Sequence, residues 1–416
     1  MAPKWTVLVY MVADTGDSFY QDAMKNITEM MKARFDDQIR VVVHADAPSP
    51  WRSKCWEVKS GTASEPAQRC RHTSVLNFIK DCVERYPAKN YLIVLWGHGE
   101  GIDWKQKILA NSGENIAGPD KVKKLWAGSK SDLTVAEIGM TLKELHKEVE
   151  HLALKLPEKR VVLGFDACLM AMVEVYFEVH QDVTCAVAAN DEIPDSGWPY
   201  KEILTWLGKD PDRGPEDLAK AIVDKCADWY SERNNQSAVS FSACNLSQES
   251  SQALVKTVRE LTTELIKALM AGPDKAAEAI TEARDFAEDL DEVAYVDLNA
   301  FCSKLKQVAE RQDYQSALAA LGGAANKVVT ALKKFAYKTD FSEYYPRKYT
   351  EDSRAVSICF PKASDLEGSV RGIEVNLKAY EGLQFNEATE WSTFWKAYWE
   401  APKPPKPKDR ALSAKA

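Results

Sequence analysis

The sequence predicts an α/β fold with a mostly parallel sheet flanked by helices on both faces, followed by a mainly helical C-terminal half. Two observations lead to this prediction. Short apolar runs rich in β-branched residues alternate with amphipathic helical patterns through the first 200 residues. Beyond that point, long amphipathic patterns follow one another with few strand-like interruptions. The alternation in the first half is typical of parallel strands joined by crossover helices.

The predicted elements follow in order along the chain. Strand-like runs lie at 6–12, 39–44, 91–96, 161–165 and 185–189, with helical patterns at 18–34, 73–85, 134–151 and 169–180. Later helical patterns lie at 215–233, 247–271 and 274–290, and later strand-like runs at 238–243 and 355–360. We therefore predict an α/β domain over 1–245 and a mainly helical region over 246–400 that contributes late strands. The Pro- and Lys-rich tail at 401–416 is predicted to be disordered, because prolines and like charges cannot pack into a core.

The composition restricts the classes of function. The chain has 416 residues, a formal net charge of −8 and 45% hydrophobic residues, which is enough to form a large core. The acidic balance disfavours a nucleic-acid-binding surface, and no apolar run reaches transmembrane length. The N-terminus shows no secretory signal pattern, and the nine cysteines have no regular spacing. We expect a cytoplasmic protein with reduced thiols and without nucleic-acid or membrane partners.

Two of the predicted strands end in side chains that can carry out chemistry. The run 161–165 leads to Cys168, and the run 91–96 leads to His98. Open α/β sheets place reactive groups beyond the carboxyl ends of their strands, so a thiol nucleophile with an imidazole partner is one interpretation. A small buried cysteine and a turn histidine between glycines form the other interpretation. From the pattern alone, both interpretations remain open.

The backbone around this pair suits acyl transfer, which needs N–H groups that face a developing oxyanion. Gly99 lacks a Cβ, so the backbone there is able to approach a substrate closely. The amide of Cys168 is predicted to open a helix starting at Leu169, where free N–H groups and the helix dipole favour negative charge.

Sequence motifs around both candidate residues are similar to those of a known family. Trp96-Gly-His98-Gly99 and Phe165-Asp-Ala-Cys168-Leu-Met closely resemble the clostripain family of cysteine peptidases, which belongs to the wider group of caspases, legumains and gingipains. Further similar segments occur in order at 5–14, 131–137, 193–200, 295–298 and 356–361. Because the similar segments extend over most of the chain, the resemblance implies a caspase-like sheet and a cysteine endopeptidase.

The resemblance also implies roles for individual residues. Cys168 would be the nucleophile that forms a thioester, and His98 would be the acid/base that protonates the leaving amine. The amides of Gly99 and Cys168 would form the oxyanion hole. In family members that cleave after Arg or Lys, an aspartate two residues before the nucleophile lines the specificity pocket, and Asp166 holds that position here. The alternative for Asp166 is a structural acid that caps the predicted helix at Leu169.

A second acid of the specificity pocket departs from the family pattern. Family members with basic preference carry it directly before the Gly-Trp pair, where this chain has Ser196. The nearest acid is Asp195, and adjacent side chains of an extended segment point in opposite directions. Trp198 would form a wall of the pocket, with ordinary core packing as an equal alternative. Preference for basic residues is therefore less firmly implied than the Cys/His dyad.

Residues 102–132 interrupt the alternation of strands and helices and are rich in Gly, Asn, Ser and Lys. Family members are often activated by cutting their own chain between the histidine and cysteine segments, and exposed loops are where nicking concentrates. We therefore treat this stretch as a candidate processing loop of a zymogen. Its candidate cleavage sites are Lys121, Lys123, Lys124 and Lys130. An uncut insertion is the equal alternative.

The sequence shows no EF-hand loop, zinc signature or other metal-ligand spacing, so no cofactor is expected to be required. Calcium remains a possible ligand by resemblance, since clostripain itself is associated with this ion. Protein or peptide substrates are the implied partners, and the danger of an uncontrolled cytoplasmic protease argues for a regulatory protein or activator. Two functional alternatives stay open: a peptidase of the same fold with a non-basic preference, and a catalytically silent binding or scaffold protein.

Overall fold

The central element of the fold is an eight-stranded sheet with the order β3-β2-β1-β4-β5-β6-β7-β9. The computed structural model describes residues 3–13, 17–47, 53–60, 75–99, 160–180, 183–232, 235–287, 294–346, 352–361, 377 and 380–402. The strands are β1 Trp5–Met11, β2 Ile39–Ala45, β3 Lys54–Val58, β4 Asn90–Trp96, β5 Val161–Asp166, β6 Cys185–Ala189, β7 Ser240–Asn245, β8 Tyr295–Asp297, β9 Ala336–Phe341 and β10 Ser357–Cys359.

The five adjacent strands β2, β1, β4, β5 and β6 pair in parallel and form the middle of the sheet. Strands β3, β7 and β9 add antiparallel pairs at the two edges. All seven residues of β1 and of β4 are buried, as continuous apolar runs in a sheet covered on both faces require. The predicted mostly parallel sheet is therefore confirmed.

Helices cover both faces of this sheet. The first part of the chain forms α1 Asp17–Lys32, α2 Val75–Arg85, α3 Val173–Val179, α4 Tyr200–Gly208 and α5 Pro215–Ser231. Trp5 and Val7 share one core with apolar residues of α1, α4 and α5. On the opposite face, Tyr10 of β1 packs against Phe78 of α2, with ring centroids 5.7 Å apart. Alternation of side chains along β1 thus supplies both cores.

The sequence missed strands β3 and β9, which lie at the two edges of the sheet. Both contain charged and half-buried residues, as in Lys-Cys-Trp-Glu-Val and Ala-Tyr-Lys-Thr-Asp-Phe. Edge strands face solvent on one side and tolerate charge, so they lack the apolar run that marks a central strand.

The described chain divides into two compact units, Met1–Gln248 with Ala336–Pro346 and Glu249–Phe335 with Arg347–Ala416. Strand β9 belongs to the first unit because it pairs with β7. The predicted boundaries at residues 245 and 400 stay predictions, and the tail beyond residue 402 lies outside the described residues.

The second unit is mainly helical. It contains α6 Gln248–Ala271, α7 Pro273–Ala287, α8 Leu298–Ala309, α9 Gln315–Phe335, α10 Gln384–Thr389 and α11 Trp391–Glu400, with the short antiparallel pair β8–β10. Phe360 lies at the centre of its aromatic core, with Phe301, Trp391 and Phe394 each within about 6 Å, centroid to centroid. Among the described helices, none combines the length and the apolar character that a membrane span needs.

The cysteines depart in one place from the expectation of uniformly reduced thiols. Cys55 on β3 is disulfide-bonded. Seven other cysteines within the described ranges are free thiols: Cys82, Cys168, Cys185, Cys226, Cys244, Cys302 and Cys359. Six of these seven are buried, and Cys168 is the exception. The expectation is therefore wrong for Cys55.

Candidate active site

Adjacent parallel strands bring His98 and Cys168 to the same edge of the sheet. Strands β4 and β5 pair with Trp96 opposite Asp166, and the amide of Gly97 donates to the carbonyl oxygen of Asp166 at 3.2 Å. His98 and Cys168 each follow two residues after this last pair. The two predicted strands therefore bring these two residues beyond the carboxyl ends of neighbouring strands.

The backbone of Gly99 lies against the backbone of Cys168. A Cβ placed on Gly99 would come within 2.1 Å of the Cys168 carbonyl oxygen and 2.9 Å of its amide nitrogen. No side chain fits at such distances, so the close approach requires glycine. In the part of the chain that the structure describes, the amides of Gly99 and Cys168 donate to no backbone carbonyl. Among the described residues, neither N–H group of the predicted oxyanion hole is therefore taken up by a backbone carbonyl.

The thiol of Cys168 is partly exposed and is bound by the backbone of Ile193. The Ile193 amide donates to Sγ at 3.3 Å, and the thiol reaches the Ile193 carbonyl oxygen at 3.5 Å. Burial raises the pKa of Cys168 to about 11, and the charges of Glu192, Asp195 and Asp166 add to this increase while the Ile193 amide opposes it. The resting sulfur is therefore a protonated thiol at neutral pH, and it needs a base before it attacks.

His98 is an exposed residue, and an aromatic ring covers one face of its imidazole. Phe19 of α1 stacks on it with a centroid distance of 4.1 Å and an interplanar angle of 6°. The same phenyl ring contacts Trp96, at 4.5 Å and 35°. Different parts of the chain therefore hold the two groups. The backbone of Ile193 contacts the thiol, and Phe19 of α1 stacks on the imidazole.

The helix predicted to start at Leu169 begins four residues later, at Val173, so that prediction is wrong. The chain turns sharply after Cys168, and this turn gives Leu169 a φ of 61°. That value lies in the left-handed region, which leucine rarely adopts. The Leu169 amide donates a hydrogen bond to the carbonyl oxygen of Asp191 at 3.2 Å, and this bond holds the turn. The Cys168 amide therefore lies in a strained turn rather than at a helix N-terminus.

Asp166 is a buried carboxylate at the end of β5, two residues before the candidate nucleophile. Its Oδ2 accepts hydrogen bonds from the Trp198 amide at 3.0 Å and the Tyr200 hydroxyl at 2.7 Å. Its Oδ1 is also buried and has no hydrogen-bond partner among the described residues. Burial raises the pKa of Asp166 to about 7, although both hydrogen bonds oppose the shift. The capping alternative is wrong, since no helix begins at Leu169 and α3 lacks a side-chain cap.

The two remaining pocket candidates occupy different environments. Asp195 has an exposed side chain close enough to Cys168 to raise the pKa of its thiol. Trp198 is 1% exposed, and its indole packs on β5, where a Cβ on Gly164 would lie 2.6 Å from the ring. The indole is therefore core packing, whereas the backbone amide of Trp198 holds Asp166. Tyr200, the second group on Asp166, was not singled out from the sequence.

Some predictions fall outside the described residues. The candidate processing loop 102–132, with Lys121, Lys123, Lys124 and Lys130, lies there entirely. The helical pattern at 134–151 lies there as well. In the described ranges, no group of three or more His, Cys, Asp or Glu side chains is placed to hold a metal ion. The carboxylate of Asp46, an acid near the end of β2, is bound by Tyr10, His44 and Ser53.

Comparison with solved structures places this fold among C11 proteases. The chain is similar to an inactive zymogen C11 protease from Parabacteroides distasonis, with 16% identity, a TM-score of 0.60, and coverage of 94% of this chain and 99% of that one. It is also similar to a secreted C11 cysteine protease from Bacteroides thetaiotaomicron, "iotapain", with 14% identity, a TM-score of 0.64, and 94% and 100% coverage. The secreted B. thetaiotaomicron protease in complex with an irreversible peptide inhibitor gives 16% identity and a TM-score of 0.61, with 94% and 99% coverage.

At this level of identity, the similarity to solved structures establishes the fold. A search of curated proteins found no match. The model of the clostripain family of peptidases, in contrast, matches residues 9–399, which is nearly the whole chain. Cys168 and His98 follow neighbouring strand ends, as the family resemblance implies. The match over nearly the whole chain shows that it is a cysteine peptidase that belongs to the clostripain family.

Proposed function

We propose that this peptidase cleaves peptide bonds after Arg or Lys, with Cys168 as nucleophile and His98 as acid/base. The observation that carries the preference is the buried Oδ1 of Asp166, which has no partner in the described part of the chain. A guanidinium or ammonium group in the pocket would supply that partner. The acid lies two residues before Cys168, the position that lines the specificity pocket in family members that cleave after Arg or Lys.

The reaction uses the groups that the two strand ends bring together. The Cys168 sulfur bonds to the scissile carbonyl carbon while its proton passes to His98. The developing oxyanion receives hydrogen bonds from the amides of Gly99 and Cys168. Collapse of this intermediate breaks the C–N bond, and His98 gives its proton to the leaving amine. Water then hydrolyses the thioester and restores the thiol.

The charges around the thiol also support a basic substrate. Glu192, Asp195 and Asp166 all raise the pKa of Cys168, which means that each places negative potential at the sulfur. A cationic substrate side chain is attracted by that potential and neutralises part of it on binding. Asp195 is exposed and would contribute its negative charge at the rim of the proposed pocket, whereas Asp166 is buried and would lie inside it.

Substrates that differ only at the residue before the scissile bond test this preference. We expect Arg and Lys peptides to exceed a norleucine peptide in kcat/KM by at least about 100-fold, because the cation pairs with a buried acid. Asp166→Asn should abolish most of this ratio, and the matched rim variant Asp195→Asn should change it by less than about fivefold. Equal rates for basic and neutral peptides in the wild type would instead establish the non-basic alternative.

We further propose that the chain is a zymogen activated by self-cleavage after a lysine within 121–130. The support is the Lys-rich composition of 102–132 and the similarity in fold to a protein described as an inactive zymogen. N-terminal sequencing of wild type and Cys168→Ala after incubation should find a new terminus in the wild type alone. A chain that stays whole while fully active would contradict this. An uncut, inactive chain that responds to an added protein would point to a regulatory activator.

We propose that catalysis requires no metal ion. The support is chemical: thiol, imidazole and backbone amides supply every proton transfer and charge contact in the mechanism above. Activity should be unchanged after exhaustive chelation. A loss that calcium restores would assign the ion a role and would direct attention to residues outside the described ranges.

The cellular compartment is open to a direct test. Our sequence-based expectation is the cytoplasm, but a disulfide at Cys55 favours an oxidising compartment, and one similar protease is described as secreted. Because Cys55 is buried, acid quenching of cells and alkylation under denaturing conditions, followed by mass spectrometry, report its oxidation state. A fully alkylated Cys55 would support the cytoplasm, and a protected Cys55 would support export.

A further inference from the structure

One face of helix α1 lies against the candidate site through two residues that the mechanism does not use. Phe19 and Asn26 are seven positions apart, which places them on the same face of the helix. Both side chains are buried, at 8% and 2% exposure. Each contacts a different part of the site, Phe19 the imidazole of His98 and Asn26 the loop that holds Asp166.

Phe19 determines the plane of the His98 ring. The two rings are parallel within 6° at 4.1 Å, so rotation of the imidazole about its last torsion would destroy the stacking. His98 is otherwise an exposed residue, and α1 supplies the aromatic surface that supports its ring. A flat ring fixes that plane, whereas a branched aliphatic side chain of similar volume leaves it free.

Asn26 is hydrogen-bonded both to strand β4 and to the loop 193–199, which we call the pocket loop. Its Oδ1 accepts a hydrogen bond from Trp96 Nε1 at 3.2 Å, and its Nδ2 donates to the Ser196 carbonyl oxygen at 2.9 Å. Gly197 follows with φ = 66°, and a Cβ there would lie 2.7 Å from Asn26 Oδ1 and 2.8 Å from Asp166 Oδ2. The amide of Trp198 then donates to Asp166. The position of the Asp166 partners thus depends on the Asn26 side-chain amide.

We propose that α1 positions both halves of the catalytic site, with Phe19 orienting His98 for proton transfer and Asn26 fixing the loop that shapes the Asp166 pocket. This inference rests on the proposed peptidase function and adds two positioning residues to it. A helix that touches both halves makes the geometry of proton transfer and the geometry of substrate binding depend on one rigid element. A purely structural role for these residues would affect stability and leave the kinetic constants unchanged.

The two residues should separate in their kinetic effects. Phe19→Leu should lower kcat for a Lys peptide by about 10- to 100-fold, with KM within about twofold, because orientation of the acid/base acts on the chemical step. Phe19→Tyr keeps the flat ring and should restore kcat to within about threefold of the wild type. As a matched control, Phe78→Leu truncates a buried phenyl on α2, 0% exposed against 8% for Phe19, and should reduce Tm without changing kcat.

Asn26→Leu should act on binding instead. The variant removes both hydrogen bonds at similar volume, so KM for the Lys peptide should rise about tenfold while kcat stays within about threefold. Trp96→Phe removes the indole donor to Asn26 while it keeps an aromatic ring beside Phe19. It should shift KM in the same direction, which keeps the test usable if Asn26→Leu fails to fold. All rates are normalised to sites titrated with a peptidyl chloromethyl ketone, so misfolded protein is not counted.

Several outcomes are distinguishable. Unchanged kcat in Phe19→Leu, or equal losses in Phe19→Leu and Phe19→Tyr, would overturn the role of Phe19. Unchanged KM in Asn26→Leu and Trp96→Phe would overturn the role of Asn26. If the wild type cleaves peptides without basic preference, the proposed specificity fails, yet the Phe19 comparison still tests this inference.

Discussion

Gly99 and Cys168 are so close that a single methyl group on Gly99 would lie 2.1 Å from the Cys168 carbonyl oxygen. This close approach of the two backbones explains why glycine follows His98, and we assign the Gly99 amide to the proposed oxyanion hole. We expect Gly99→Ala to lower kcat by about 10²- to 10³-fold, the loss typical of a displaced oxyanion donor. Steady-state kinetics with a Lys peptide measure the effect.

A matched glycine is available as a control for the Gly99 variant. Gly323 is an exposed residue of α9, and a Cβ there would meet nothing within 4 Å. Gly323→Ala should stabilise the protein by about 0.5–1 kcal/mol and leave kcat unchanged. Wild-type activity in Gly99→Ala would contradict the assignment of this amide.

Asp166 should make the preference for basic residues dependent on pH. Burial raises the pKa of Asp166 to about 7, so the free enzyme carries a neutral pocket acid below that pH. KM for Arg and Lys peptides should therefore rise as pH falls from 8 to 6, while KM for a norleucine peptide stays level. Parallel curves for the two substrates would contradict the account. Asp166→Asn should remove the difference in slope.

The same carboxyl predicts a change in stability with pH. A folded-state pKa above the unfolded value of 3.8 means that the folded state holds the proton more tightly, so stability falls as pH rises from about 4 through about 7. Asp166→Asn should relieve this cost and exceed the wild type in free energy of unfolding at pH 8 by about 1–4 kcal/mol. Denaturant unfolding at pH 4 and pH 8 tests the sign, since the advantage should vanish at pH 4.

Gly164 should matter through Trp198. The indole packs directly on β5 at this glycine, with 2.6 Å between its ring and a Cβ placed there. Gly164→Ala should push the ring away and destabilise the fold by about 1–3 kcal/mol, as overpacking does. Because the Trp198 amide holds Asp166, KM for a Lys peptide should rise as well. A variant with reduced Tm and unchanged KM would show that the position of the Trp198 indole does not affect substrate binding.

The reactivity of the thiol toward a small alkylating agent tests its electrostatic environment. Burial and three nearby carboxylates raise the pKa of Cys168 to about 11, so the thiolate fraction should grow about tenfold for each pH unit between 7 and 10. Iodoacetamide labelling followed by peptide mass spectrometry measures this slope at Cys168. A rate that levels off near pH 8 would indicate a thiolate already formed at neutral pH.

The sequence predicted the central strands and the position of the Cys/His pair because continuous apolar runs are strong local signals. Edge strands β3 and β9 carry charges and left no such signal. The predicted start of the helix after Cys168 is wrong because Leu169 lies in a left-handed turn. A hydrogen bond from the Leu169 amide to the carbonyl oxygen of Asp191, which is distant along the chain, holds this turn. Phe19 and Asn26 fit the helical period of α1 as ordinary core residues, and their contacts with His98 and Ser196 depend on tertiary packing.

The account depends most directly on Cys168 being the nucleophile in a site shared with His98. A biotinylated Lys-chloromethyl ketone peptide should label the wild type at Cys168 and leave Cys168→Ala unlabelled, and His98→Ala should react at least about 10²-fold more slowly. Labelling of another cysteine, or equal rates in the wild type and His98→Ala, would contradict the assignment of this pair.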